Sequence, residues 1–184
     1  RINDLTDYRP MKQGLFLYDY DGQTVSNVRF EEREKGCIKI FAEPVPRCPY
    51  VLGGDTAGEG SDYFTAHVID NTTGEQRAVL RDDNIDEDEY ARQVYCLGMY
   101  YNTALVGIEA NFSTYPIKEL ARLGYPKQYV RETPDTFTGT LRKSFGFRTT
   151  SATRPVVIAN LVKIVREEAY LINDVTTLRE MLSF

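Results

Sequence analysis

Tyr50-Val51-Leu52-Gly53-Gly54-Asp55-Thr56-Ala57-Gly58-Glu59-Gly60-Ser61-Asp62-Tyr63 is the stretch from which the fold reads. An apolar run ends in two glycines, delivers one carboxylate, and turns through Gly58 and Gly60 into a second apolar run over 63–69. This pattern predicts a strand, a tight turn and an antiparallel partner, with Asp55 at the end of the first strand. A carboxylate there is held by the sheet and faces open space, which suits a metal ligand; Asp also opens glycine turns without any further role. A second stretch, Leu105-Val106-Gly107-Ile108-Glu109-Ala110-Asn111, is another short apolar strand ending in an acid, Glu109. Two strands that each present a carboxylate at the C-terminal end are what a divalent-metal site on an α/β sheet requires.

The 184 residues suffice for one domain, or one domain with an arm, around a sizeable core. A content of 42% hydrophobic and 27% charged residues is ordinary for a soluble globular chain. No apolar run approaches the roughly 18 residues of a membrane span, and no signal-peptide pattern occurs. Cys37, Cys48 and Cys96 are odd in number and widely spaced, which argues for reduced thiols in a cytosolic setting and against a zinc cluster. The only histidine, His67, lies in the middle of an expected strand, excluding a multi-histidine metal site and a Ser-His-Asp triad.

The net charge of −5 is unevenly distributed. Asp82, Asp83, Asp86, Glu87, Asp88 and Glu89 put six acids into eight positions, and the run reads best as a solvated, well-capped helix start. Over 127–154 the sign reverses: Lys127, Arg131, Arg142, Lys143, Arg148 and Arg154 face only Glu132 and Asp135, a balance of +4. One acidic shoulder and one basic segment suit an enzyme that grips a phosphate backbone.

In order, residues 1–12 read as an arm, and runs over 15–20 and 24–30 flank the hairpin signal Asp21-Gly22. A short strand over 38–41 ends at Glu43-Pro44-Val45-Pro46. Residues 1–48 are therefore expected to form an N-terminal arm and peripheral β layer, and 49–184 the main domain. There, strands over 50–55, 63–70 and 76–81 form an antiparallel meander, followed by a helix over 86–101 and a fourth strand over 105–110. A helix capped by Ser113 or Thr114, with Pro116 in its first turn, stops at Gly124. A fifth strand is expected over 128–131 and a projecting hairpin over 137–149. Ser151 then opens a helix with Val157, Leu161 and Ile164 on one face, and Asp174 caps a last one. The fold class expected is α/β, a mixed five-stranded sheet flanked by helices with an added β-hairpin arm. The first and fourth strands of such a sheet can lie side by side, which would bring Asp55 and Glu109 together.

This order, with acids ending the first and fourth strands, resembles the ribonuclease H-like fold, and more narrowly the nuclease domain of the large terminase subunit of tailed bacteriophages. The resemblance rests on the 50–63 stretch and Gly107-Ile108-Glu109-Ala110-Asn111. Phe145-Gly146-Phe147-Arg148-Thr149-Thr150 running into Thr153-Arg154-Pro155, and Asp174-Val175-Thr176-Thr177-Leu178-Arg179-Glu180-Met181-Leu182, reinforce it. It covers nearly everything from about residue 38 onward and makes 49–184 the nuclease domain.

The resemblance implies an endonuclease that cuts concatemeric double-stranded viral DNA during genome packaging in the cytoplasm of a bacterial host. Its implied partners are DNA, a terminase ATPase domain, the small terminase subunit and the portal, with no membrane. No Gly-x-x-x-x-Gly-Lys-Ser/Thr loop occurs, so the ATPase half is absent from the sequence. Asp55 matches the acid that bridges two Mg²⁺ or Mn²⁺ ions about 3.5–4 Å apart, Glu109 matches the second acid, and Asp62 is an outer candidate. Arg142, Lys143, Arg148 and Arg154 would meet backbone phosphates. The pattern's third acid falls on a helix beyond the segment matching 178–184, so a C-terminal end that is incomplete, and weakened cutting favouring Mn²⁺ over Mg²⁺, are expected. Asp174 reads as a helix cap instead. Two readings compete: a non-catalytic ribonuclease H-like module that docks DNA or motor proteins, and an actin-like-fold phosphotransferase fragment whose glycine turn meets nucleotide phosphates.

Overall fold

The computed structural model describes residues 9–56, 63–135 and 139–182. Its strands are β1 (Lys12–Tyr20), β2 (Val25–Glu32), β3 (Ile38–Ile40), β4 (Tyr50–Asp55), β5 (Phe64–Asp70), β6 (Gln76–Asp82), β7 (Leu105–Ile108), β8 (Val130–Pro134) and β9 (Leu141–Phe145). The helices are α1 (Glu87–Tyr100), α2 (Tyr115–Arg122), α3 (Thr153–Glu167) and α4 (Val175–Leu182), with a 3₁₀ turn at Ala169–Leu171 before the last.

One mixed sheet has seven strands in the order β2-β1-β3-β6-β5-β4-β7, and β8 with β9 forms a separate hairpin. The expected meander β4-β5-β6 is present, and β7 pairs in parallel with β4. The expected α/β class with an added hairpin therefore holds, but the sheet grows on a different side from the one expected. Residues 128–131 contribute only an isolated bridge, Gln128 to Val106, before the chain leaves to form β8. On the opposite flank β3 pairs with β6 and β1 with β3, so the N-terminal strands extend the main sheet. A buried amide helps fix that extension: Gln93 of α1 accepts from the Phe16 N–H at 3.0 Å and donates to the Phe16 carbonyl at 2.8 Å.

Period-two alternation decides what each face meets. In β5, Phe64, Ala66 and Val68 are buried, while Thr65, His67 and Ile69 are only half-buried. The first set joins Leu52, Val106, Ile108, Ala78 and Leu80 in a core closed by Tyr90, Val94 and Leu97 of α1. Asp86 caps α1 by accepting from the Glu89 N–H at 2.7 Å, and Asp82 accepts from the backbone of Asn84 and Ile85. The acidic run thus does the work of a helix start.

The other face is covered at β3, β6 and β5 by the 3₁₀ turn and α4. Gln76 organises the contact. Its Oε1 accepts from the backbone N–H of Asn173 and of Asp174, and its Nε2 donates to Nδ1 of His67 at 2.9 Å. Asp174 is the N-cap, accepting from the Thr177 N–H at 2.9 Å and pairing with Lys39 at 3.0 Å. Burial raises its carboxyl, but those donors outweigh burial and hold it below the ordinary carboxylate range. Burial also lowers the pKa of His67 below its usual 6.5; Asp174 and Glu180 oppose that shift and Arg81 adds to it.

Because His67 accepts as a neutral ring, acid favours the unfolded chain, which binds that proton more readily. The part of stability that depends on His67 is fully present above pH 6.5 and is lost as pH falls from there through the lower folded value. Urea melts between pH 8 and pH 5 should show a loss of no more than about 1.4 kcal/mol per pH unit below 6.5. His67→Gln, which keeps an acceptor, should flatten that segment, and a gain in stability on acidification would contradict the assignment.

Candidate functional site

The parallel pairing of β4 and β7 runs from Val51 opposite Leu105 to Gly54 opposite Ile108. One step further, the Glu109 N–H donates to the Gly54 carbonyl at 2.8 Å, which carries the register to Asp55 and Glu109. Leu52, Val106 and Ile108 are buried on the α1 face, and a Cβ on Gly54 would stand 2.4 Å from the Tyr90 hydroxyl on that side. By alternation Gly53, Asp55, Gly107 and Glu109 share the other face. That face is open here. Gly53 is exposed with nothing among the described residues within 4 Å of a Cβ built on it, Asp55 is exposed, and Glu109 is half-buried. Of the two directly paired glycines, Gly53 leaves bare backbone just ahead of the two acids, where a ligand can approach closely, while Gly107 lies against the Tyr129 side chain. Asp55 is also fixed from its own chain, its Oδ1 accepting from the Thr56 N–H at 2.9 Å.

The hairpin β8–β9 is anchored beside Glu109. The Tyr129 N–H donates to the Val106 carbonyl of β7 at 2.7 Å, the Val106 N–H donates to the Lys127 carbonyl at 2.9 Å, and the Phe147 N–H donates to the Ile108 carbonyl at 2.8 Å. Phe147 also forms a parallel bridge with Glu109. In the hairpin Arg131 lies opposite Ser144, and Thr133 opposite Arg142, while Glu132 lies opposite Lys143. The first four, with Tyr129, Phe147 and Arg148, line an open cleft of about 480 Å³. Lys143 is on the other face, 3.3 Å from Glu132. Of the four bases singled out from the sequence, the structure brings Arg142 and Arg148 together; it puts Lys143 across the hairpin and Arg154 exposed in the first turn of α3. Arg131, which the sequence reading counted only as charge, joins the first two. Strand alternation could have found it, since Arg131 and Thr133 share a side that Glu132 does not.

Asp62 lies outside the described residues. Among the described residues no group of three or more His, Cys, Asp or Glu side chains is arranged to hold a metal ion. The pair Asp55 and Glu109 nevertheless fits one hard cation, because Mg²⁺ takes oxygen donors, keeps several waters and is commonly held by one or two carboxylates.

Solved structures share this fold. The large terminase nuclease from thermophilic phage G20c with bound zinc aligns over 100% of this chain and 87% of that one, with a TM-score of 0.60 and 17% identity. The same G20c nuclease with bound magnesium aligns over 96% of this chain and 76% of that one, with a TM-score of 0.56 and 18% identity. The large terminase nuclease domain of Thermus phage P74-26 aligns over 80% of this chain and 68% of that one, with a TM-score of 0.55 and 21% identity. No family model and no curated protein matches the sequence. The chain has the fold of large terminase nuclease domains.

The glycine pair gives a sharp test of this geometry. Gly54→Val should destabilise the protein by about 1–3 kcal/mol in urea melts, because the new side chain meets the buried Tyr90, whose hydroxyl donates to Thr65 at 2.8 Å. Gly53→Val, facing open space, should change stability by no more than about 0.5 kcal/mol. Equal effects would mean that the two faces are misassigned.

Proposed function

We propose that this chain is a metal-dependent endonuclease that cuts double-stranded viral DNA during genome packaging. The observation that carries the reading is the alignment of Asp55 and Glu109 at adjacent strand ends on an open face of the sheet. Likeness in fold to nuclease domains, one of which has been solved both with magnesium and with zinc, supports it.

In this reading Asp55 and Glu109 hold divalent cations, Mg²⁺ or Mn²⁺, with Asp62 as an outer ligand. When bound, such ions activate water and steady the leaving oxygen of the cut phosphodiester. Asp55 does its part through a carboxylate pinned at one end by the sheet and at Oδ1 by the Thr56 N–H. The Glu109 backbone is held by β4 and by the neighbouring Phe147 bridge, so the strand ends that carry both acids are fixed before a phosphate arrives. Gly53 lets the sugar-phosphate backbone come close to the sheet. Arg142, Arg148 and Arg154 meet backbone phosphates and give binding that depends on salt and little on sequence, and Lys143 reaches a phosphate only from the hairpin's far side. A terminase ATPase domain, a small terminase subunit and a portal are the partners, in the cytoplasm of a bacterial host.

Plasmid cleavage tests the reading. The wild type with Mn²⁺ or Mg²⁺ should nick and linearise supercoiled DNA. Asp55→Asn and Glu109→Gln should each lower the rate at least about 100-fold, the several kcal/mol expected for losing a metal carboxylate. Gly53→Val should bind and fold normally but cut slowly. Cutting by Asp55→Asn at the wild-type rate would refute the mechanism. DNA binding without metal-stimulated cutting would favour the docking-module reading.

A further inference from the structure

The cleft between the hairpin and the start of α3 has a chemistry distinct from that of the carboxylate pair. Arg131, Arg142 and Arg148 converge on it, with the hydroxyl side chains of Ser144, Thr150 and Thr153 among its walls and no carboxylate among its described lining. Three guanidiniums gathered without an acid repel one another unless an anion joins them. Arg131 makes the need specific: its Nη1 is buried and has no hydrogen-bond partner among the described residues. A buried donor left unmade is costly, more so on a charged group, and an arriving anion relieves it.

The position of the cleft selects the anion. Tyr129 and Phe147, two of its lining residues, are hydrogen-bonded to β7, and Phe147 bridges to Glu109 itself. The nearest atom to a Cβ on Gly107 is the Tyr129 Cβ at 3.4 Å, so Tyr129 lies on the side of the sheet that Gly107 shares with Asp55 and Glu109. The cleft and the acids thus open on one continuous face. The tyrosine and phenylalanine rings, 6.2 Å apart, floor the path between them.

We propose that this cleft seats one phosphodiester of a DNA strand, gripped by Arg131 together with Arg142 and Arg148, and so fixes the strand relative to Asp55 and Glu109. The choice of DNA as occupant rests on the nuclease reading; the anion seat itself does not. Arg131 offers a planar fork that matches two phosphate oxygens, and the hydroxyls complete the shell. A seat built for the backbone carries no base preference.

The test uses the 184-residue chain carrying Asp55→Asn in EDTA, so that binding is read without cleavage. Fluorescence anisotropy of a labelled duplex is measured over a range of salt. Arg131→Gln should weaken binding about tenfold and reduce the slope of log affinity against log salt by about 1. Arg131→Lys should keep the slope and lose part of the affinity, since the charge remains and the fork does not. Ser144→Glu, which places a carboxylate directly across from Arg131, should reproduce the loss without removing any arginine. Lys35→Gln, an exposed lysine between β2 and β3 at the far edge of the sheet, should change neither quantity. In parallel, inorganic phosphate should shift the arginine side-chain N–H signals of Arg131 in NMR spectra of the wild type.

Arg131→Gln and Ser144→Glu both binding like the wild type would overturn the proposal, as would an equal loss with Lys35→Gln. Phosphate shifts without any change in duplex affinity would assign the seat to a free phosphate compound and reject DNA as its occupant. Failure of Asp55-dependent cleavage, alongside an intact Arg131 effect, would remove the nuclease reading and leave the seat standing.

Discussion

The parallel hydrogen bonding between β4 and β7 is the constraint on which the rest of the site depends. A parallel register fixes side-chain parity, and a slip of one residue would send Glu109 to the α1 face while Asp55 stayed on the other. The Glu109 N–H bonded to the Gly54 carbonyl closes that register at the last position where it matters. Packing reinforces it: Leu52, Val106 and Ile108 are each about fully buried, so a slipped strand would expose apolar side chains and bury an acid. The core thus decides where the carboxylates point.

The second determinant is unequal cover. One face of the sheet is closed by α1, while among the described residues the 3₁₀ turn and α4 cover the other at β3, β6 and β5 and Tyr129 lies over Gly107. Gln76 ties that helix start to His67, Asn173 and Asp174, and the Arg81–Glu180 pair holds it further along. Beyond this cover no described residue stands over Gly53. The same segment that stabilises half of the sheet therefore leaves the half with the acids accessible, and the β8–β9 hairpin extends that accessible face with its arginines.

Much of this was legible in the sequence because it is local. The glycine-terminated strand ending at Asp55, the acidic cap of α1, the Pro116 start and Gly124 stop of α2, and the Asp174 cap all follow from short-range chemistry. Strand order was not legible in the same way. Nothing in residues 12–40 states that β3 will pair with β6, because any half-buried strand offers the same backbone groups. The end of residues 128–131 as a sheet strand was equally hidden, since the chain leaves β7 for a hairpin partner that lies further along. The candidate site divides along the same line. Asp55 and Glu109 were found from strand ends, whereas the basic residues were read as a charge sum. A sum ignores the period of two that puts Arg142 and Lys143 on opposite faces and brings Arg131 into the cleft. Helix α3 is a further case: its expected apolar face, Val157, Leu161 and Ile164, leaves no fully buried residue among those described.

The central claim is that Asp55 and Glu109 act as one metal-binding unit, and anomalous diffraction from Mn²⁺-soaked crystals tests it most directly. The account predicts at least one strong anomalous peak over the open face, about 2 Å from a carboxylate oxygen of each residue and lost in Asp55→Asn crystals. A peak bound by only one of the two acids, or no peak at millimolar Mn²⁺, would contradict it.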